Sequence, residues 1–469
     1  MKIVIQDARL FRMDLRTRMP FRYGIATVTA LPHVFLRLGI TVDGEPAVGM
    51  AADHLAPKWF TKNPETSPEY DIAEMERVIR HAMECAVGAE GETVFALWQQ
   101  LYDAQAEWGG SENLPSLLTH FGVSLVERAL IDAVCRHAAQ PFAKLLHDNQ
   151  LGIHLEKLYP ELANAAPKDF LPSKPLPQVT ARHTVGLADP LTDADIASED
   201  RLQDGLPQSL EESIRVYGLR HFKLKVGGNA AADAERIAQV LETIARNCPP
   251  DWKYTLDGNE SYTSLESFRE FWEMLTRSAS GSVATAHLLF IEQPFHRSLA
   301  LADAIGEALT SWQDHPPIII DESDGAIGDF PRALSLGYGG TSHKNCKGVF
   351  KGIANTCLAR KRGAFISGED LSNVGPVALP QDLAVQAALG IESVERNGQH
   401  YFAGLRMFPE AVQAVSLRDH ADLYHRLPEG YVVPRIENGQ IALDSVNAAP
   451  FGVRTLPEVS SFAEVASVS

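Results

Sequence analysis

The chain has 469 residues, 45% of them hydrophobic and 22% charged. That is the make-up of an ordinary globular protein too long for one compact core. Lysine and arginine number 42 against 60 acidic residues, a formal charge of −18, so nucleic acid and anionic membrane surfaces are excluded as expected partners.

No run of about 18 apolar residues occurs, so no membrane-crossing helix is expected. The opening MKIVIQDARLF puts Asp7 and Arg9 where a secretion signal needs its apolar centre, which points to a cytoplasmic protein. Cys85, Cys135, Cys248, Cys346 and Cys357 are scattered without a CxxC pair; free thiols are expected, not a zinc ribbon or a disulfide framework.

In chain order, residues 1–50 read as strands. KIVIQDARLF and HVFLRLGITVDG are the two runs, with a turn at Asp43-Gly44 and a loop, MPFRYGIATVTA, between them. Residues 52–70 hold three prolines and no periodicity and read as a long loop, a candidate cover for a site. Helices are predicted over 71–147, where Val126, Leu130, Ala133 and Val134 recur at helical spacing. Residues 148–178, with five prolines, read as a connector.

From 179 to about 400, eight short apolar strands alternate with helical stretches: QVTARHTV, RHFKLKV, KYTLDGN, LLFIEQP, PIIIDES, GGTSHKN, GAFISGED and GIESVER. That alternation predicts a (β/α)7–8 TIM-type barrel. Residues 1–147 would form an α+β capping domain, to which 401–469 return.

Polar motifs end consecutive strands, at the end of a barrel where active sites are built. Lys223-Leu-Lys225 is followed by Asp257-Gly-Asn259, Glu292-Gln-Pro and Asp321-Glu322. Residues two apart share a strand face, so Lys223 goes with Lys225 and Asp257 with Asn259. A single acidic strand end is as well explained by a solvated terminus or a helix cap, and a lone KLK triplet by surface lysines. Three carboxylates in succession would repel one another without a cation. Asp257, Glu292 and Asp321 are therefore the candidate ligands of Mg²⁺ or Mn²⁺, with Asn259 and Glu322 beside them. Glu369 ends the seventh strand, where facing the pocket and capping a helix are alternatives. The 20s loop with Arg22 and Tyr23 is a candidate substrate contact; for the loop with His54, Lys58 and Trp59, a lid and a packed surface loop with a buried Trp are alternatives.

HFKLKVGG, YTLDGN, FIEQP, IIIDES and GYGGTSHKNCKGVFKG, in that order, resemble the muconate-lactonizing branch of the mandelate racemase/muconate lactonizing enzyme family, within the enolase superfamily. GVSLVERALIDAVCRHAAQPFAKLL is similar to the family's last capping-domain helix. The resemblance implies that Lys225 is an acid/base and that Lys223 helps it by holding a substrate carboxylate oxygen. It also implies a second lysine base across the barrel and a homo-oligomer. Lys344 matches the family's sixth strand in length and is preferred by strand parity. Lys347 competes because Gly352 follows it by five residues, and an apparent three-residue insertion separates the two alternatives.

The implied reaction is metal-dependent removal of a proton α to a carboxylate through a stabilised enolate of a small carboxylic acid. Its outcome would be racemisation or epimerisation, cycloisomerisation or β-elimination. Crowding by Lys223 and a cation is expected to lower the pKa of Lys225. The alternatives are an acid-sugar dehydratase, against which the absence of histidine in the seventh strand speaks, a catalytically silent barrel protein, and a different metal-dependent aldolase with ligands among His183, His221, His287 and His343.

Overall fold

The structure, a computed structural model, describes residues 1–469. β1 (Ile3–Tyr23), β2 (Ala26–Val42) and β3 (Glu45–His54) form an antiparallel meander. Its buried side carries alternating apolar residues such as Ile3, Ile5, Ala8 and Leu10. α3 (Ser116–His137) lies against it, and α1 (Pro68–Ala86) and α2 (Val94–Ser111) pack on α3. A short strand, β4 (Glu90–Gly91), pairs with the start of β1. α3 is buried on almost every side, between the sheet and the barrel. Gly49 makes that approach feasible, since a Cβ there would lie 2.0 Å from the Ala129 carbonyl oxygen.

The sequence reading of two segments needs correction. MPFRYGIATVTA is not a surface loop: β1 and β2 stay paired to Tyr23↔Ala26, turning at Gly24-Ile25, with the ladder interrupted near this stretch between Arg16 and Phe21. Pro20 falls in that interruption, where its missing N–H leaves no partner unpaired. The long loop is also shorter than 52–70. β3 runs to His54 and α1 begins at Pro68, with Ser67 capping through its hydroxyl to the Tyr70 N–H. Ser-Pro-Glu is the N-cap, first-position proline and acidic first turn of a helix start.

The barrel strands are β5 (Gln178–Val185), β6 (His221–Lys225), β7 (Lys253–Asp257), β8 (Leu288–Glu292), β9 (Ile318–Ile320), β10 (Gly340–His343), β11 (Phe365–Gly368) and β12 (Ser393–Glu395). All eight are parallel in sequence order, and β12 pairs with β5 to close the barrel. β13 (Tyr424–Arg426) and β14 (Val432–Pro434) form a hairpin, and β15 (Gln440–Ala442) adds antiparallel to the start of β5. The final strand, β16 (Ala463–Val468), pairs with β1 in the meander sheet. No helix is long and apolar enough to cross a membrane.

Candidate active site

The carboxyl ends of β6 to β12 deliver a buried cluster of ionised side chains. Lys225 is in register with Asp257, and Asp257 with Glu292, so three adjacent strands present these groups at one level. Asp321 follows β9 directly and Glu369 follows β11. Lys223, Asp257, Glu292, Asp321, Lys344 and Glu369 are all at most 4% exposed, so their charges must be settled among themselves.

Lys223 stands at the centre. Its ammonium lies 3.0 Å from Asp257 Oδ2, 2.8 Å from Glu292 Oε2, 2.6 Å from Glu369 Oε2 and 3.0 Å from Glu395 Oε2. Burial alone would lower its pKa, but the four carboxylates outweigh burial and raise it well above the ordinary lysine value. Lys225 lies above it, 2.5 Å from Asp257 Oδ2. Across the barrel, Lys344 lies 3.0 Å from Asp321 Oδ2 and donates to Glu369 Oε2. Burial pulls its pKa down too, and Asp321 and Glu369 reverse that. β6 and β10 are four strands apart in an eight-stranded barrel, so Lys225 and Lys344 reach one cavity from opposite walls.

Lys347 is placed differently. β10 ends at His343, and residues Asn345–Lys347 make a single 3-10 turn. The Lys347 ammonium lies 3.1 Å from Asp321 Oδ1, 2.9 Å from Ser342 Oγ and 3.8 Å from Asp324 Oδ2. Lys344 lines the cavity and Lys347 does not. His343 points at the following helix, where Gly352 leaves it room: a Cβ at Gly352 would lie 2.1 Å from His343 Nδ1.

The tightest acidic group is Glu292, Asp321 and Glu369, whose ligand atoms lie within 4.8 Å of one another. The sequence reading placed Asp257 in that trio; here Asp257 is turned to the two lysines. Glu369, however, is saturated. Oε1 accepts from Arg182 at 3.1 Å and from Ser367 at 2.7 Å, while Oε2 takes Lys223 and Lys344. Glu292 Oε2 and Asp321 Oδ2 have only lysine ion-pair contacts, at 2.8 Å to Lys223 and 3.0 Å to Lys344, and Glu292 Oε1 accepts no hydrogen bond, its nearest ammonium being Lys344 at 3.9 Å. A buried hard oxygen without a donor is the kind that suits a divalent cation. Burial, and then the Glu369 charge, push the Glu292 carboxyl well above the usual range. For Asp321, burial is outweighed by Lys344 and Lys347, which hold it below that range.

Asn259 does not follow strand parity as the sequence suggested. Asn259 and Glu260 take left-handed backbone angles, φ 39° and 62°, a strained pair of the sort found at functional sites. The turn folds the Asn259 N–H back onto Asp257 Oδ1 at 2.8 Å and sends its amide to Glu322 Oε1 at 3.2 Å. Burial first, then the Asp321, Glu260 and Asp257 charges, raise the Glu322 carboxyl to about 8.

The four histidines of the aldolase alternative do not converge on the carboxylates. His183 packs against His400, His221 bonds Ser393, His287 stacks on Trp252 and His343 bonds Asn345.

Above the lysines, the hairpin tip contributes Phe21 and Tyr23 and the 55–67 segment contributes Ala56 and Trp59. Arg22, on the opposite face of β1, lines a separate cavity with Arg236 and Asp189. With the covering segments in place the site retains about 40 Å³ of free space. Sequence reading missed Arg182, Arg297 and Glu260. For Arg182, strand parity was the available signal: it shares a face with Thr184, which donates to Glu395 Oε1 at 2.7 Å.

No protein-family profile matches the sequence, and no curated protein matches it. Solved structures do match in fold. Muconate lactonizing enzyme from Pseudomonas fluorescens, solved with muconolactone, superimposes with a TM-score of 0.61 at 15% identity, over 94% of each chain. N-succinyl Arg/Lys racemase from Bacillus cereus gives 0.59 at 16% identity, over 94% of this chain and 97% of that one. Dipeptide epimerase from Enterococcus faecalis, solved with Mg and a dipeptide, gives 0.56 at 14% identity, over 85% and 92%. The chain therefore has the fold of the mandelate racemase/muconate lactonizing enzymes, a parallel barrel with a capping domain.

Proposed function

We propose that this chain is an enzyme of the mandelate racemase/muconate lactonizing enzyme family that moves the proton α to the carboxylate of a small acid, as a racemase or epimerase. The observation that carries this is the pairing of Lys225 and Lys344 on opposite walls of one buried cavity, each beside a carboxylate. Two opposed lysines allow a proton to be taken on one face of a carbon and returned on the other. The racemase, the epimerase and a 2-chloromuconate cycloisomerase from Rhodococcus opacus among the fold's neighbours support an isomerase.

Asp257, Glu292 and Asp321 would hold a divalent cation, Mg²⁺ or Mn²⁺. They stand on consecutive strands, and the unpartnered Oε1 of Glu292 favours it. Glu369, anchored by Arg182 and Ser367, is the better lysine partner than ligand. The bound cation supplies stabilisation of the negative charge that grows on the substrate carboxylate as its α-proton leaves. Lys225 removes or returns that proton at Nζ on one face, and Lys344 does so on the other. Lys223 stays charged among its four carboxylates, and would exchange one of them to give an N–H to a substrate oxygen. Asn259 and Glu322 fix the Asp257 side chain and the turn behind it. Trp59 and Tyr23 keep bulk water away from the reacting carbon.

The test is incubation of the Mg²⁺-loaded protein with single-enantiomer N-acyl amino acids, dipeptides and lactones, followed by chiral chromatography. Appearance of the opposite configuration, lost on chelation and restored by Mg²⁺, is the expected outcome. No conversion of any α-substituted carboxylate across the panel overturns the reading.

A further inference from the structure

About 40 Å³ of free space is far below the few hundred that enclose a small ligand. The cover must therefore move for a substrate to enter, and the structure shows what holds it. Residues 55–67 cross the open end of the barrel without regular structure and without a sheet partner. They carry Trp59, whose ring centre lies 5.5 Å from the Lys344 ammonium. Side chains from the barrel loops do the fastening.

Arg297, the first residue of the short helix Arg297–Ala300 that follows β8, donates NH1 to the Phe60 carbonyl at 2.5 Å and NH2 to the Trp59 carbonyl at 2.7 Å. Glu260, in the strained turn after β7, grips the same guanidinium from its other edge. Nε meets Oε1 at 2.8 Å, NH2 meets Oε2 at 2.8 Å, and the Arg297 backbone N–H meets Oε1 at 2.7 Å. A planar fork bound along two edges has one orientation open to it. Lys62 adds a second tie: it donates to the Asn259 carbonyl and lies 3.7 Å from Glu260 Oε2. Neither Arg297 nor Glu260 lines the cavity or touches Lys225 or Lys344. Both act through the backbone of residues 59 and 60.

We propose that Arg297 and Glu260 are positioning residues that clamp the 55–67 segment over the site and hold Trp59 above Lys344, and that release of this clamp admits substrate. The catalytic consequence rests on the reading of Lys344 as an acid/base. The clamp itself rests on the hydrogen bonds alone.

The clamp is tested by limited trypsin digestion of the full chain without metal or substrate, scoring the bonds after Lys58 and Lys62. Arg297→Ala is expected to speed cleavage there at least tenfold. Arg297→Lys, which keeps a charge for Glu260 but cannot serve both carbonyls, is expected to speed it by less. Glu260→Gln is expected to fall between them. Should Arg297→Ala fail to fold, the other two variants, checked for a native circular dichroism spectrum, decide the matter. Unchanged cleavage at both bonds in the folded variants, or full protection in Arg297→Lys, overturns the proposal. On a converted substrate, Arg297→Ala is expected to lower kcat at least tenfold with partial recovery in Arg297→Lys; a change in KM alone overturns the positioning role. If wild type converts nothing while Arg297→Ala still frees the segment, the clamp stands and the reaction assigned to the site falls.

Discussion

Lys225 and Asp257 are register partners on adjacent barrel strands, and their side chains meet at 2.5 Å. The contact is almost wholly buried, so its two functions, ion pair and proton carrier, can be separated by substitution. Lys225→Met leaves Asp257 with Lys223 as its one cation beside the Asn259 N–H, which should cost about 1–3 kcal/mol of stability in urea unfolding. Lys225→Arg keeps a cation beside Asp257 but brings a guanidinium that does not give up its proton. It should stay closer to wild type in stability than the methionine variant, with turnover reduced at least a hundredfold in both. A catalytically competent Lys225→Arg enzyme would remove Lys225 from the proton path.

Glu292 gives an opposite pattern. Its charge is disfavoured by burial and then by Glu369, Lys223 at Oε2 is its one close cation, and Oε1 accepts no hydrogen bond. Glu292→Gln should therefore raise the thermal midpoint of the metal-free protein, or leave it in place. The same change should abolish the stabilisation by Mn²⁺, which for a hundredfold excess over Kd amounts to about 2.7 kcal/mol. Thermal melts with EDTA and with Mn²⁺ read both halves. A Glu292→Gln protein still stabilised by the metal would move the cation elsewhere. The same melts on Asp257→Asn and Glu369→Gln separate ligand from lysine partner: loss of the metal response is expected for Asp257→Asn, and a response still present for Glu369→Gln.

His120 supplies a pH dependence away from the site. It is buried against Tyr102, with ring centres 3.9 Å apart, and its pKa is lowered to about 3 by burial and then by Lys351. In the unfolded chain the imidazole titrates near 6.5. Between those values the unfolded state binds a proton that the folded state refuses, so this residue costs stability as pH falls below about 6.5. Relative to wild type, His120→Gln should gain about 1.4 kcal/mol for each pH unit below that value. Urea unfolding of both proteins at pH 7, 6 and 5 measures the difference. A constant offset at all three values would contradict the assignment of a neutral buried imidazole.

Lys344 and Lys347 both reach Asp321, but from different sides: Lys344 at Oδ2 from the cavity, Lys347 at Oδ1 from the turn that follows β10. Lys347→Met should consequently keep exchange of both enantiomers of a substrate within about tenfold, because every tenfold is only about 1.4 kcal/mol of misplacement. Lys344→Met should lose one enantiomer altogether. The reverse pattern would make Lys347 the base.

The eight barrel strands and the order of their polar ends were legible in the sequence, because strand–helix alternation and period-two patterning are local properties. Asp257, Glu292 and Asp321 could be placed because each ends an apolar run. What was not legible depends on closure of the barrel. Lys223 meets Glu369 and Glu395 across separations of 146 and 172 residues, and no local pattern predicts that a lysine on the second strand will be neutralised by the seventh and eighth. The hairpin at 20–31 was hidden by Pro20 and Gly24, which read as loop residues until the interrupted register gives the proline a place. The choice between Lys344 and Lys347 turned on where β10 stops, and a one-residue difference in a strand end reverses the direction of every side chain beyond it.

Two-sided proton transfer is read by deuterium incorporation from D₂O, followed by NMR on each enantiomer of a converted carboxylate. With Mg²⁺ present, wild type should exchange the α-proton of both enantiomers. Lys225→Ala and Lys344→Ala should each fail to interconvert them, each retaining exchange of one enantiomer, and opposite ones. Exchange of neither enantiomer by wild type, or loss of the same enantiomer in both variants, would contradict the account.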